Sequence, residues 1–341
     1  MTGALSADAA EWARSLLGFS GDIQATTLSG GANNIVARCD GGDRSIVVKA
    51  YPQTVAAAQT RFQAEHAFLA YANVVAPRYV PRLIGADTTR RMLALETLHG
   101  PGFGEANPAS AADVAAAVEF ISLLNASDAR GNAAIAPAAA DGFLELSDHI
   151  NDVNRRVSEL SSEHLSAKDR PEAIAMITQV RAAASKVTSR LEGAINSGRV
   201  TDRLPTEYVC LSPSDFGFHN AIRTLDGPKF FDFEFAGWDD PAKCLCDFFL
   251  QPRVPVSKSY AARFEAVLSR VIPQNQLHER AAELRPLLSV KWVTIVLSVL
   301  RPARLADILN LRGEDAREPL IAERMATAQR LLSQMDDHGI H

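Results

Sequence analysis

Cysteine is scarce in this chain, with four in 341 residues. Only Cys244 and Cys246 lie close together, at a spacing too tight for the usual zinc pair, so the pattern reads as reduced thiols in a cytoplasmic protein. An excess of positive charge is also missing: 35 Lys and Arg face 40 Asp and Glu, a formal net charge of -5. Proteins that track phosphate backbones carry the opposite balance, which argues against nucleic acid as a partner. Long apolar runs are lacking too. The most apolar stretch, residues 287–300, is interrupted by Lys291 and falls short of the roughly 20 residues that span a bilayer. It reads as a buried helix, and no membrane partner is expected. The first residues carry acidic groups and no basic region leading into an apolar run, so no secretory signal is expected. What is present is 47% hydrophobic and 22% charged residues, a globular balance that excludes disorder and fibrous repeats as general descriptions.

Along the chain, residues 23–28, 34–39 and 45–51 read as short strands separated by Gly and Asp turns, with two more at 82–87 and 91–98. Together they predict a small antiparallel sheet. A helix interrupts it at about 54–72. Phe62 and Leu69 share one face of that helix, and Glu65, three residues after Phe62, is directed inward or sideways rather than into bulk water. The Gly/Pro-rich segment 99–104 marks the boundary between a first region, 1–98, and a second, 99–341. The second region is mainly helical, with helices expected near 111–126, 144–160, 167–197, 260–272, 277–300 and 318–335. One island of strand-like pieces breaks it, at 208–211, 221–223 and 229–233.

That island carries the chemistry. Asp215 is followed by Asn220, and Asp232 comes twelve residues after the Asn, the spacing of a kinase catalytic loop and its metal-binding partner. Phosphoryl transfer needs a carboxylate to accept the proton of the attacking hydroxyl and hard oxygen ligands for Mg²⁺ across the nucleotide phosphates. Asp215 can supply the first, Asn220 with Asp232 the second. Residues 212–247 hold seven acidic groups against three basic ones, a cluster that repels itself unless a cation or a proton settles it. Turn or cap roles stay open for Asp226, Asp239 and Asp240. Upstream, Ser29, Gly30, Gly31, Ala32 and Asn33 join two strands. Such small residues let backbone N–H groups approach phosphate oxygens, although two glycines also suit an ordinary hairpin turn. Lys49 interrupts an apolar strand, where an unpaired charge is costly. Glu65 is an available partner; an edge strand with the amine snorkelling to water is the alternative.

These residues resemble the aminoglycoside phosphotransferase and choline kinase-like family, small-molecule relatives of the protein kinases, from about Leu28 to about Asp247. The resemblance implies an α+β, bilobal protein-kinase-like fold, with a small antiparallel-sheet N-lobe and a larger, mainly helical C-lobe. It implies ATP and Mg²⁺ as cofactors and a small-molecule hydroxyl as acceptor. By matched position, Ser29, Gly30, Gly31 and Asn33 would cover the phosphates, and Lys49 with Glu65 would form the phosphate-gripping ion pair. Glu96 and Leu98 would belong to the hinge that holds adenine. Asp215 would be the catalytic base, and Asn220 and Asp232 would bind Mg²⁺. One departure stands out: Pro213-Ser214 occupies the place where the family commonly has His-Gly, a brace for the catalytic loop. His219 reads as a loop residue turned away from the metal.

The acceptor is not encoded in any motif of the helical segments; aminoglycosides, choline-like amino alcohols and sugars remain open. Phe216, Trp238 and Trp292 suit stacking on a quaternary ammonium or ordinary core packing. The alternative to an active kinase is a catalytically impaired, nucleotide-binding pseudokinase or scaffold.

Overall fold

The computed structural model describes residues 5–28, 34–53, 55–126 and 137–336. Ser29, Gly30, Gly31 and Asn33, the expected phosphate-covering residues, lie outside the described residues. The chain divides into two compact units, Met1–Ala140 with Leu211–Trp238, and Asp141–Cys210 with Asp239–His341. This is a different division from the lobe boundary expected at 98/99, because it groups the segment around Asp215 and Asp232 with the antiparallel sheet.

In the first unit, Ser6 caps α1 (Ala7–Leu17) by accepting from the Ala9 amide, and Gly18, at φ 61°, ends the helix in the left-handed conformation that glycine adopts at little cost. The sheet follows as β1 (Gln24–Thr27), β2 (Ile35–Gly41) and β3 (Arg44–Ala50), then, after α2 (Ala56–Val75), β4 (Leu83–Asp87) and β5 (Met92–Glu96). All pairings are antiparallel, in the order β1-β2-β3-β5-β4. Ile46 and Val48 of β3 pack with Ala13 and Leu17 of α1, Cys39 and Ala94. Side chains alternate along a strand, so Lys49 falls on the opposite face from Val48.

α3 (Ala111–Leu124) starts at a capping box in which Ser110 and Asp113 satisfy each other's backbone N–H groups. The chain returns to this unit along β6 (Cys210–Ser212), runs through the hairpin β7 (Ala221–Thr224) and β8 (Gly227–Phe230), and leaves along β9 (Gly237–Asp239). Five phenylalanines bind these pieces together. Phe120 of α3 stacks on Phe230 at 5.5 Å, Phe216 meets Phe230 at 4.8 Å, and Phe68 of α2 meets Phe233 at 4.5 Å. Phe216 and Phe233, next to Asp215 and Asp232 in sequence, thus anchor both acidic residues to one aromatic core. Phe216 is therefore a packing residue.

The second unit is helical: α4 (Leu146–Ser158), α5 (Arg170–Asn196), α6 (Pro241–Leu250), α7 (Ala261–Leu268), α8 (Gln274–Val296), α9 (Pro302–Arg312) and α10 (Arg317–Asp336). α4 shows why. Ile150, Val153 and Val157 recur at helical spacing and are buried, while Arg155 and Glu159 pair toward solvent. Among the described residues, no helix is long and apolar enough to cross a membrane.

Candidate active site

β3 carries Lys49 between Val36 of β2 and Leu93 of β5, on a central strand. Its amine has no edge from which to reach water, and the snorkelling alternative fails. Lys49 is 5% exposed and Glu65, on the buried face of α2, 1%. The Lys49 ammonium donates to Glu65 Oε2 at 2.6 Å and to Asp232 Oδ1 at 2.5 Å, with Glu234 Oε2 at 4.0 Å. Two further residues complete the cluster. The Tyr51 hydroxyl donates to the same Glu65 oxygen, and Asn34 Nδ2 donates to Glu234 Oε2.

The electrostatics follow from one cation among three carboxyl groups. Burial alone would lower the Lys49 pKa, but Glu65, Asp232 and Glu234 outweigh it and hold the ammonium well above its ordinary value. Burial raises Glu65 even though Lys49 pulls it down, and burial followed by the neighbouring Glu65 pushes the Tyr51 hydroxyl up. The cluster keeps one open side: the Asp232 side chain is 40% exposed.

Asp232 reaches this position because the eleven residues between it and Asn220 are spent on the hairpin. β7 pairs with β8 from Ala221 opposite Phe230 to Thr224 opposite Gly227, and the Phe231 amide donates to the Asn220 carbonyl at 2.9 Å. Asp232 itself sits at φ 68°. A left-handed conformation for a residue other than glycine costs of order 1–3 kcal/mol and persists only where the surroundings enforce it, as functional sites often do.

Asp215 is held from several directions. Asn220 Nδ2 donates to its carbonyl at 3.0 Å and to Oδ2 at 3.2 Å, and His219 Nε2 lies 3.1 Å from Oδ1. The 3-10 turn Phe218–Asn220 brings both side chains back onto it. His219, expected as a loop residue turned away from the metal, lies in this turn with its ring against Asp215. On the other side, Ser214 adopts φ 66°, its amide donates to Ser212 Oγ at 3.0 Å and its hydroxyl to the Ala140 carbonyl at 3.3 Å. Pro213-Ser214, standing where the resemblance expects His-Gly, thus forms a turn fixed by its own hydrogen bonds.

Glu96 ends β5. Its carboxylate accepts from Lys229 Nζ at 2.7 Å and from the Arg82 amide at 3.0 Å; these contacts outweigh burial and hold its pKa below the ordinary value. Leu98 follows just beyond the strand. Of the acidic residues with open roles, Asp226 lies in the β7–β8 turn, while Asp240 caps α6 and pairs with Arg280 at 2.5 Å. Asp239 is buried on Lys243 at 2.8 Å. Sequence reasoning missed Tyr51, Asn34 and Glu234. The sequence signal for Glu234 was its place in the acid-rich stretch 212–247, two residues after Asp232.

Among the described residues, no group of three His, Cys, Asp or Glu side chains converges as a metal site. The donors at hand are Asp232, with its exposed side, and Asn220, whose amide nitrogen is committed to Asp215 and whose oxygen is left as the donor atom. One carboxylate and one amide oxygen fit Mg²⁺ that keeps waters and takes phosphate oxygens, rather than a metal caged by protein alone.

Known proteins place this geometry in context. The sequence model of the phosphotransferase enzyme family matches residues 24–265. The fold is shared with a choline/ethanolamine kinase family protein from Mesorhizobium loti, 18% identical, with 97% of this chain and 96% of that one covered at a TM-score of 0.54. It is shared with the choline kinase of Cryptosporidium parvum Iowa II, 12% identical, over 93% and 91% at 0.58. A spectinomycin phosphotransferase, solved with ADP and spectinomycin, is 12% identical over 96% and 99% at 0.59. No curated protein matched.

Proposed function

The chain belongs to the phosphotransferase enzyme family and is a small-molecule kinase, and on that premise we propose that it transfers the γ-phosphoryl group of ATP to a hydroxyl of a small molecule. The observation that carries the reading is the Lys49 ammonium fixed on Glu65 and Asp232, with Asp215 and Asn220 hydrogen-bonded in the same compact unit.

In this reading Lys49, oriented by Glu65 and Tyr51, presents positive charge to the nucleotide phosphates. Ser29, Gly30, Gly31 and Asn33 cover them, and the backbone at Glu96 and Leu98 meets the base. Asn220 and Asp232 hold Mg²⁺, which when bound neutralises charge on the phosphate oxygens. Asp215 is the base: its carboxylate takes the proton of the acceptor hydroxyl as that oxygen attacks. Positioning and charge neutralisation supply most of the acceleration, because the phosphoryl group needs little covalent help. The acceptor is aminoglycoside-, choline- or sugar-like. A net charge of -5 and four unpaired, buried thiols support a cytoplasmic setting without a nucleic-acid partner.

The test is ADP formation from Mg·ATP across a panel of aminoglycosides, amino alcohols, sugars and nucleosides. One class should raise the rate above that with water, and Asp215→Asn should lower it by about 10²- to 10⁴-fold, the usual worth of a positioned acid–base group. A wild type that binds nucleotide but forms no ADP with any acceptor would instead mark a pseudokinase.

A further inference from the structure

We propose that His219 is the positioning residue of Asp215, an inference that rests on Asp215 being the base. Three observations combine. The His219 side chain is 3% exposed although it sits in a loop, whereas the Asp215 side chain that it touches is 38% exposed. Its Nε2 lies 3.1 Å from Asp215 Oδ1, while Asn220 Nδ2 donates to Oδ2 at 3.2 Å. Its Nδ1 is buried with no hydrogen-bond partner among the described residues.

The network assigns the ring proton. An ionised carboxylate only accepts, so Nε2 is the donor toward Asp215. A bare Nδ1 needs no acceptor in its buried position, whereas an N–H there would be left unpaired at a cost of about 1–3 kcal/mol. Among the described residues the imidazole therefore has one polar partner, the base itself. With Oδ1 held by His219 and Oδ2 by Asn220, rotation of the carboxylate about its Cβ–Cγ bond is stopped from both sides. Each oxygen has two lone pairs, so the contact to His219 or to Asn220 does not by itself close that oxygen to the proton of the acceptor hydroxyl. The closed ring lies behind the base, and the open side of Asp215 is where the acceptor approaches. His219 thus sets the direction of the accepting lone pair without touching the reacting atoms.

The test combines ring spectra with turnover. In histidine-labelled protein, the His219 nitrogen signals are those missing from His219→Phe. They should show the proton on Nε2, and Asp215→Ala should shift the Nε2 signal. A proton on Nδ1, or an Nε2 signal that Asp215→Ala leaves in place, overturns the proposal. These spectra need no acceptor, so they decide the contact whatever the turnover rate. For ADP formation from Mg·ATP with water as acceptor, His219→Phe should lower kcat about 10- to 100-fold with KM for ATP unchanged, the scale expected when a reacting group is misplaced by about 1 Å. His219→Gln, which keeps an N–H donor, should recover most of that loss. Equal loss in Phe and Gln variants points to a packing role and contradicts the proposal. The two readings separate cleanly. If Asp215→Ala forms ADP at the wild-type rate, the base assignment fails; if Asp215→Ala is inactive and His219→Phe is fully active, the base stands and His219 does not position it.

Discussion

Two buried lysines, one in each compact unit, sit among carboxylates, and they differ in what their surroundings leave over. Lys49 is one cation among Glu65, Asp232 and Glu234, and Asp232 keeps a side open to solvent. Lys243 lies 2.8 Å from Asp239 and 3.2 Å from Asp247. A second cation, Lys291, stands 3.6 Å from Asp247, and Trp292 donates to the other Asp247 oxygen at 2.8 Å. Two buried cations face two buried carboxylates there, while partly exposed Asp141, 4.0 Å from Lys291, is paired with Arg156 at 2.6 Å. A balanced, closed cluster braces a fold. One with surplus negative charge and an open face is suited to take up a cation, as a nucleotide–metal site must.

The largest effect that would break this comparison is on stability. Lys243→Met leaves Asp239 buried without its counter-ion, and denaturant unfolding should show a loss of about 3–5 kcal/mol. Lys49→Met should cost less, because Asp232 faces water. The reverse order would mean that the two clusters have exchanged roles.

The cations of the second cluster also set a pH dependence. Burial, then Lys291, Lys243 and Arg280, lower the His149 pKa from 6.5 to about 3. Folded His149 thus stays neutral where the unfolded chain takes up a proton. Its contribution is complete above pH 6.5 and is lost as pH falls toward 3. The slope is at most about 1.4 kcal/mol per pH unit, or roughly 2 kcal/mol between pH 6.5 and pH 5. In unfolding curves across that range, His149→Gln should be flatter than wild type. Parallel curves would remove this histidine from the account.

The smallest effect sharpens the first cluster. Tyr51→Phe keeps the edge-on ring contact with Phe62 at 5.6 Å and removes only the hydroxyl on Glu65. It should cost about 0.5–1.5 kcal/mol in unfolding free energy, the net worth of a typical intramolecular hydrogen bond. An unchanged midpoint would show that Lys49 alone holds Glu65.

Much of this arrangement is legible in the sequence, for physical reasons. A lysine inside an apolar strand and a glutamate on an inward helix face each demand a partner, so the Lys49–Glu65 pair can be read before the sheet order is known. The spacing of Asp215, Asn220 and Asp232 is legible because a two-residue hairpin accounts for the gap. Other features hide behind ordinary chemistry. Tyr51 reads as the apolar end of a strand, since nothing in one sequence says that its hydroxyl meets a carboxylate. Asn34 depends on a contact two hundred residues away in sequence. His219 lies in a 3-10 turn, and only the turn's geometry decides where its ring goes. Asp240 before Pro241 is a helix-start signal, yet the same residues suit a turn, so α6 is obscured. The grouping of 211–238 with the sheet rests on aromatic packing between distant segments, which periodicity does not encode.

The central claim, that the Lys49 cluster with its surplus of carboxylates is the nucleotide–metal site, is tested most directly by thermal unfolding with ATP, with and without Mg²⁺, on wild type and Asp232→Ala. A ligand that binds only the folded state stabilises it by about 2.7 kcal/mol at a hundredfold excess over its Kd. The account predicts a Mg²⁺-dependent rise in Tm with ATP in wild type and its loss in Asp232→Ala. An equal rise in both, or none in wild type at millimolar nucleotide, would contradict it.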